Sequence, residues 1–188
     1  MVEPVRQRPD PALIGFRRLR AADLPLMHRW LTSPGVARWY GDGTDQPYAA
    51  IEAKYTPRIE GRSPVQPWLI LYDGLPIGYI QTYPIAPFPE YAAHTGDDAG
   101  AAAIDMFIGE DDYRGRGFGA ASLRAFLREV VFADPQTTHC FIDPDPENAV
   151  AIRAYARAGF RALRRIDPAP PGEPCLLMRV NREEILGA

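Results

Sequence analysis

The alternation of apolar and polar positions divides the chain into short stretches of two kinds. Short apolar or alternating runs predict seven β-strands, and apolar positions three or four residues apart predict four helices. The predicted strands cover residues 14–19, 67–72, 77–83, 101–109, 138–142, 160–166 and 175–180. The predicted helices cover residues 23–33, 46–59, 117–132 and 146–158.

Local signals mark where several of these elements begin and end. The dipeptide Asp73-Gly74 predicts a hairpin turn between the second and third strands. Asp145 is expected to cap the fourth helix, with Pro146 as its first residue and Gly159 at its end. Residues 84–100 contain prolines and acidic residues and predict a long loop. Loops of this length inside a compact domain are often functional.

The order of the elements is strand, two helices, three strands, helix, strand, helix and two strands, which predicts an α+β fold. The first 12 residues are expected to form a flexible tail, and residues 13–188 a single domain. An apolar content of 46% and a charged content of 24% are typical of soluble globular proteins. No apolar run approaches the ~20 residues of a membrane span, so a cytoplasmic protein without membrane association is expected.

The net charge of −3 argues against a nucleic-acid partner and is compatible with a cationic small molecule. The two cysteines, Cys140 and Cys175, do not form a disulfide or metal framework, and Cys140 is expected to be a buried thiol. The three histidines show no metal-binding spacing, so no metal site is predicted.

The stretch from Tyr113 to Gly119 carries three glycines at alternate positions, between a predicted strand and a predicted helix. Glycine lets the backbone approach a ligand closely, and the N-terminus of a helix attracts anions. Arg114 and Arg116 add positive charge to this turn. The combination favours a phosphate-binding site over an ordinary strand-to-helix turn.

Two sequence patterns, about 30 residues apart, carry a resemblance to a known family. The first, Gln/Arg-x-x-Gly-x-Gly/Ala, is met by Arg114, Gly117 and Gly119. The second, Asn-x-x-Ala-x-x-x-Tyr-x-x-x-Gly-Phe, is met by Asn148, Ala151, Tyr155, Gly159 and Phe160. In this order they resemble the GNAT superfamily of acetyltransferases. The resemblance implies a mostly antiparallel mixed sheet that splays between its fourth and fifth strands and is flanked by helices.

Over about residues 15–182 the chain is similar in particular to the aminoglycoside 6′-N-acetyltransferases. The shared stretches include Trp39-Tyr40-Gly41, Ala103-Ile104-Asp105 and Asp143-Pro144-Asp145-Pro146. The departure lies in residues 84–100, where those enzymes carry adjacent tryptophans and this chain does not. The resemblance implies acetyl-CoA as the cofactor. The residues expected to bind it are Phe107, Ile108, Arg114, Gly115, Arg116, Gly117, Phe118, Gly119 and Asn148.

Acetyl transfer to an amine needs a base for the ammonium proton and an acid for the leaving thiolate. Asp105 interrupts an apolar strand, and the matching aspartate in the resembled enzymes is assigned as the base or the amine anchor. A plain solvent-facing aspartate is the alternative. Tyr155 suits the acid, although it also fits a core tyrosine. Asn148 either bonds the pantetheine arm of the cofactor or caps its helix.

A polycationic acceptor calls for acidic residues around the cleft and flat aromatic walls for its sugar rings. The expected acceptor-binding residues are Trp39, Tyr55, Gln81, Asp97, Asp98, Asp105, Asp143 and Glu173. Each acid alone also fits a solvated surface residue.

Together with these residues, the resemblance implies acetyl-CoA-dependent acetylation of a primary amine, in particular the 6′-amine of aminoglycoside antibiotics such as kanamycin, by direct attack in a ternary complex. Two alternatives remain open. One is an N-acyltransferase for another amine, such as a siderophore lysine or hydroxylysine, and the other is a non-catalytic acyl-CoA sensor. The protein is expected to be a monomer or a homodimer.

Overall fold

The computed structural model describes residues 8–40, 44–96, 99–167 and 174–187. The strands are β1 (Ile14–Arg18), β2 (Gln66–Tyr72), β3 (Leu75–Pro84), β4 (Ala101–Ile108), β5 (His139–Ile142), β6 (Arg161–Ile166) and β7 (Cys175–Asn181). The helices are α1 (Leu24–Leu31), α2 (Pro34–Ala37), α3 (Tyr48–Ile59), α4 (Pro89–Thr95), α5 (Phe118–Phe126), α6 (Ala149–Ala158) and α7 (Arg182–Leu186). A π-helical segment, Leu127–Val131, continues α5.

The seven strands form one sheet in the order β1-β2-β3-β4-β5-β7-β6. β1 runs antiparallel to β2, and β7 runs antiparallel to both β5 and β6, whereas β4 runs parallel to β5. The hairpin between β2 and β3 turns at Asp73 and Gly74, whose φ angles of 49° and 76° are both positive, as the predicted two-residue turn requires.

The parallel pairing of β4 with β5 is short. It begins with Ala101 opposite His139 and ends with Ala103 opposite Phe141. In the described part of the chain no further ladder pair joins these strands, so the second half of β4 has its ladder neighbour in β3 alone. The expected α+β fold, with a mixed sheet that opens between the fourth and fifth strands, is confirmed.

The chain divides into two compact units, and each has its own core. The first unit comprises Met1–Gln81 and Met106–Ser122. Its core is built from α1, α3 and the inner faces of β2 and β3, with aromatic rings at its centre. The largest fully buried side chains there are Trp30, Tyr55 and Tyr79. Apolar burial of this kind is the main stabilising term in a folded domain.

The second unit comprises Thr82–Asp105 and Leu123–Ala188. One buried cluster in it joins Ala101, Ala103, Phe141 and Leu177 from the sheet with Ile85. Tyr83, Tyr91, Ala92 and Ile166 are partly buried and pack against this cluster. The predicted organisation, a tail over residues 1–12 and one domain from residue 13, stays a prediction.

Two sequence predictions about helices are wrong. The stretch 84–100 is not a loop throughout, because it contains α4, which has Pro89 in its first turn and ends at Gly96 with φ +73°. Proline in the first turn and glycine just after the last residue both favour a helix. The stretch therefore carries helix start and stop signals, although its several prolines are typical of a loop.

The start of α6 is the second correction. Asp145 and Pro146 precede the helix, and Asn148 caps it by accepting a hydrogen bond from the Ala151 N–H at 3.1 Å. Asp145 instead accepts a bond from the Glu147 N–H at 2.7 Å, which forms a turn. Gly159 ends α6 with φ +116°, as predicted. Among the described helices, none combines the length and apolarity needed to cross a membrane.

Candidate active site

The glycine turn of the first unit leads from β4 into α5. Arg114 is extended, Gly115 and Gly117 have φ angles of +72° and +94°, and α5 begins at Phe118. Residues with a Cβ atom rarely adopt such positive φ angles. Glycine is therefore required at these two positions by the backbone conformation. A Cβ atom added at Gly115 would meet nothing within 4 Å, so space is not the constraint. The turn therefore places an open stretch of backbone at the N-terminus of a helix.

Phe118 anchors this turn. Its ring is fully buried and packs edge-on against Tyr72 at 4.8 Å and Tyr113 at 4.9 Å between ring centroids. A Cβ atom added at Gly119 would lie 3.8 Å from Ile108 Cγ1, which is ordinary contact. The first turn of α5 therefore packs against β4, and the contact at Gly119 leaves room for a Cβ atom.

The two arginines of the turn have different surroundings. The guanidinium of Arg114 forms an ion pair with Asp111 and lies against the backbone at Gly35. Arg116 is exposed and has no ion pair in the described residues. Arg116 is therefore free to meet an anion, whereas Arg114 would have to exchange Asp111 for it.

Phe107 belongs to the aromatic core of the first unit. Its ring stacks on Tyr79 at 5.5 Å and meets Tyr40 edge-on at 4.9 Å. Its carbonyl oxygen would lie 2.4 Å from a Cβ atom added at Gly78, so glycine is needed there for close approach. The Phe107 side chain is therefore part of the core, and its carbonyl oxygen faces Gly78 on β3.

The acceptor-binding residues predicted in the first unit differ in exposure. Trp39 is half-buried, and the Arg38 guanidinium lies 4.6 Å from the centre of its ring. Tyr55 is fully buried against Tyr79, with ring centroids 5.5 Å apart. A contact between the Tyr55 ring and an acceptor would therefore require neighbouring side chains to move.

Gln81 is the centre of a polar network that the sequence did not predict. Its side-chain oxygen accepts hydrogen bonds from the Tyr79 hydroxyl and from Arg58 Nη1, both at 2.7 Å. Because a guanidinium only donates, Arg58 fixes which end of the Gln81 amide points toward it. The period-two spacing of Tyr79 and Gln81 was a usable signal, but nothing in the sequence pointed to Arg58.

Asp105 and Asp143 form an interacting acidic pair in the second unit. Burial and, second to it, the negative charge of Asp105 together raise the pKa of Asp143 to about 7. The Tyr83 hydroxyl donates a hydrogen bond to the Asp105 carboxylate, and burial followed by the charges of both acids raises the pKa of Tyr83. The site thus holds two carboxylates that are costly to ionise together without a cation.

Tyr91 lies on α4. Burial, followed by the negative charge of Asp143, raises the pKa of Tyr91, and its hydroxyl is enclosed without a hydrogen-bond partner in the described chain. The rings of Tyr91 and Tyr83 are 6.3 Å apart. Neither tyrosine was predicted as a site residue from the sequence. Tyr83 lies two residues after Gln81 on the same strand, which was a signal, whereas Tyr91 depends on the unpredicted helix.

Tyr155 is buried on α6. Burial raises its pKa most, and the charges of Asp105 and Asp143 raise it further, so the phenol stays protonated at neutral pH. Asn148 caps α6, as one of its two readings predicted, and its side-chain oxygen is occupied by that role. Cys140 is fully buried, as expected, and burial raises its pKa.

Three predicted acceptor-binding acids lie outside the described residues. They are Asp97, Asp98 and Glu173. Within the described residues, no three histidine, cysteine, aspartate or glutamate side chains are grouped so that they could hold a metal ion.

A family model described as an acetyltransferase (GNAT) domain matches residues 20–168. This span covers most of the chain and includes both the glycine turn and the acidic pair. The chain belongs to the GNAT acetyltransferase family.

Individual relatives narrow the comparison. The chain is 29% identical over 171 residues to aminoglycoside N(6′)-acetyltransferase type 1 of Klebsiella pneumoniae. The matched residues cover 90% of this chain and 84% of that protein. It is 22% identical over 168 residues to N(6)-hydroxylysine O-acetyltransferase of Escherichia coli, which covers 87% of this chain and 52% of that protein.

Solved structures give the same picture. A structure of the aminoglycoside acetyltransferase AAC(6′)-Ib with paromomycin and acetyl-CoA has a TM-score of 0.81 and 29% identity, over 91% of this chain and 94% of that one. A structure of AAC(6′)-Ib with coenzyme A and kanamycin also has a TM-score of 0.81, at 28% identity, over 91% and 96% of the two chains.

Proposed function

We propose that this protein transfers the acetyl group of acetyl-CoA to a primary amine, in particular the 6′-amine of aminoglycosides, by direct attack in a ternary complex. The observation that carries the proposal is the acidic pair Asp105 and Asp143, whose mutual repulsion an ammonium group would relieve. The identity to aminoglycoside 6′-acetyltransferases over most of the chain supports the choice of acceptor.

The glycine turn fits the phosphates of acetyl-CoA. Its positive-φ glycines and the N-terminus of α5 offer N–H groups, and exposed Arg116 offers charge. We assign the pyrophosphate to residues 114–119 and the pantetheine arm to the backbone of Phe107 and Ile108, with Asn148 as a further contact. When bound, acetyl-CoA supplies the acetyl group as a thioester and leaves as a thiol.

Asp105 is assigned as the general base. An incoming amine is a cation at neutral pH and must lose a proton before it can attack, and a carboxylate beside it can take that proton. The hydrogen bond from Tyr83 orients the Asp105 carboxylate. Asp143 contributes the second negative charge, which holds the ammonium group in place until the proton has moved.

Tyr155 is assigned as the general acid. It remains protonated at neutral pH because it is buried beside two acids, so it has a proton to give to a sulfur leaving group. The remaining acceptor contacts are assigned to Trp39, Tyr55, Gln81, Asp97, Asp98 and Glu173. The protein is proposed to act in the cytoplasm, as a monomer or a homodimer.

A second candidate is acyl transfer to a lysine-type or hydroxylysine-type acceptor, which the similarity to the hydroxylysine O-acetyltransferase favours. Thiol release from acetyl-CoA, measured with kanamycin, gentamicin, lysine derivatives, N(6)-hydroxylysine and spermidine, separates the two. Turnover with the 6′-amino drugs at a kcat/KM at least about tenfold above the others is expected, since a tenfold ratio corresponds to about 1.4 kcal/mol of discrimination. Turnover with hydroxylysine alone would select the second candidate, and no turnover with any amine would select an acyl-CoA sensor.

A further inference from the structure

Glu110 lies between the two segments of the first unit that are assigned to the cofactor. It follows the last residue of β4, Ile108, by two positions and precedes the glycine turn, which begins at Arg114. Its carbonyl oxygen accepts a hydrogen bond from the Tyr113 N–H at 3.1 Å, which closes the short turn between them. A displacement of Glu110 would therefore change the spacing between the end of β4 and the glycine turn.

The Glu110 side chain reaches back to α1. Its Oε1 atom accepts hydrogen bonds from Trp30 Nε1 at 2.9 Å and from Arg29 Nη2, and its Oε2 atom accepts one from Arg29 Nη1 at 3.4 Å. The bond from Arg29 lowers the pKa of Glu110 against the opposing effect of burial, and the bond from Trp30 lowers it further. Glu110 is therefore held as a carboxylate between two donors on one helix.

Trp30 gives this contact a rigid support. Its ring is fully buried and packs edge-on against Phe107 at 6.1 Å between ring centroids. A Cβ atom added at Gly109 would overlap the Trp30 ring, so the ring lies directly against the chain before Glu110. The N–H groups of Gly109 and Glu110 both donate to the Ile77 carbonyl on β3, at 2.9 and 3.2 Å. Glu110 is thus fixed to β3 by its backbone and to α1 by its side chain.

Coenzyme A would meet both segments at once, β4 through its pantetheine arm and the glycine turn through its pyrophosphate. A ligand that bridges two segments binds more tightly when their spacing is already fixed, because less conformational entropy is lost on binding. The buried Trp30 N–H needs a hydrogen-bond acceptor in any fold. Because this acceptor lies in the connection between the two segments, the same bond also fixes their spacing.

We propose that Glu110 is a positioning residue for the cofactor, which through its bonds to Trp30 and Arg29 holds the glycine turn at the distance from β4 that coenzyme A requires. This inference rests on the cofactor assignment of the proposed function. Glu110 acts through the turn and is assigned no contact with coenzyme A and no part in the chemistry of the acceptor amine.

The test uses variants that remove or keep the bonds of Glu110. Glu110→Ala removes the carboxylate, Glu110→Gln keeps an oxygen that can accept the bond from Trp30, and Arg29→Ala removes a donor at an exposed residue without opening the core. Asp23→Ala is the matched control, because Asp23 pairs with Arg17 at 2.9 Å in the same unit. Calorimetric titration gives the Kd for coenzyme A, and thermal unfolding gives the stability. Thiol release at saturating acetyl-CoA gives kcat and the KM for kanamycin.

Glu110→Ala should raise the Kd for coenzyme A roughly tenfold, the order of one lost hydrogen bond to a charged group, with kcat and the KM for kanamycin changed less than about twofold. Glu110→Gln should recover most of this affinity. Arg29→Ala should raise the Kd by a smaller factor and should add nothing in the Glu110→Ala background, because Arg29 acts through Glu110. Asp23→Ala should lower the melting temperature and leave the Kd for coenzyme A unchanged.

An unchanged Kd in both Glu110→Ala and Arg29→Ala would overturn the role of Glu110. An equal rise in Asp23→Ala would overturn it as well, because affinity would then follow stability alone. An effect of Arg29→Ala that persists in the Glu110→Ala background would instead assign Arg29 a direct contact with coenzyme A and remove Glu110 as its intermediary.

The proposed function fails separately from this inference. A wild type that binds coenzyme A and acetylates no amine would overturn the acceptor chemistry, and the Kd values would still decide the role of Glu110. A wild type that does not bind coenzyme A would overturn the cofactor assignment and the role of Glu110 together.

Discussion

The carboxylates of Asp105 and Asp143 lie in one neighbourhood, and the charge of the first raises the pKa of the second. The negative charge of Asp105, added to burial, therefore disfavours the ionised form of Asp143. Two buried carboxylates that are both ionised are poorly solvated and repel each other, and a bound cation reduces that repulsion. The β4–β5 ladder ends with Ala103 opposite Phe141, and each acid follows its strand's last paired residue by two positions. The end of this ladder is therefore where the proposed amine site lies.

Replacing Asp105 by asparagine keeps the size of the side chain and removes the proposed base. Turnover should fall at least ~100-fold, the low end for loss of a general base, while acetyl-CoA binding stays intact. Thiol release measures the first quantity, and calorimetric titration with acetyl-CoA measures the second. Near-wild-type turnover would refute the assignment of Asp105, and loss of acetyl-CoA binding would assign Asp105 to the cofactor site.

The raised pKa of Asp143 predicts a dependence of stability on pH. The unfolded chain releases this proton near the ordinary value of about 4, whereas the folded protein holds it to about 7. Between these values the folded state binds more protons, so the contribution of Asp143 to stability falls as pH rises from about 4 to about 7 and then levels off.

Asp143→Asn should remove this dependence. Urea unfolding at pH 5 and pH 8 should show the variant gaining on the wild type by on the order of 2 kcal/mol at the higher pH. The exposed Asp112 supplies the control, because Asp112→Asn should leave the pH dependence unchanged. Equal pH dependence in the wild type and Asp143→Asn would contradict the coupling of Asp143 to its buried surroundings.

The sequence predicted elements whose local chemistry is decisive, such as the turn at Asp73 and Gly74 and the glycine turn after β4. Prediction from the sequence was wrong where two local signals compete for the same role. Asp145 and Asn148 are both good N-caps, and only the packed structure selects Asn148. The prolines of residues 84–100 also led to the prediction of a loop where α4 forms, although Pro89 lies in the first turn of that helix.

Tyr155→Phe tests the proposed acid. The ring, which is buried, remains in place, and only the proton donor is lost. The turnover number should fall roughly 10- to 100-fold with the melting temperature nearly unchanged, since general acids contribute on the order of 10²-fold or more and water can partly replace them. Unchanged turnover would make Tyr155 a core tyrosine, which was the alternative from the sequence.

The glycine turn can be tested by a pair of matched substitutions. Gly15, on β1, and Gly115 both have open space around a new Cβ atom, but only Gly115 has a positive φ. Gly115→Ala should therefore cost about 1–2 kcal/mol of stability and raise the KM for acetyl-CoA, whereas Gly15→Ala should change neither by much. Equal effects of the two substitutions would show that torsion is not what the turn requires.

The unequal surroundings of Arg114 and Arg116 predict a division of roles. Arg116→Ala should raise the KM for acetyl-CoA roughly three- to tenfold without changing the melting temperature, because its charge is exposed and faces solvent. Arg114→Ala should act mainly on stability, by on the order of 1 kcal/mol, because its half-buried guanidinium packs at Gly35 and pairs with Asp111. Steady-state kinetics and thermal unfolding of both variants separate these effects. The reverse outcome, with Arg114→Ala weakening acetyl-CoA binding more than Arg116→Ala, would mean that Arg114 leaves Asp111 for the phosphates when acetyl-CoA binds.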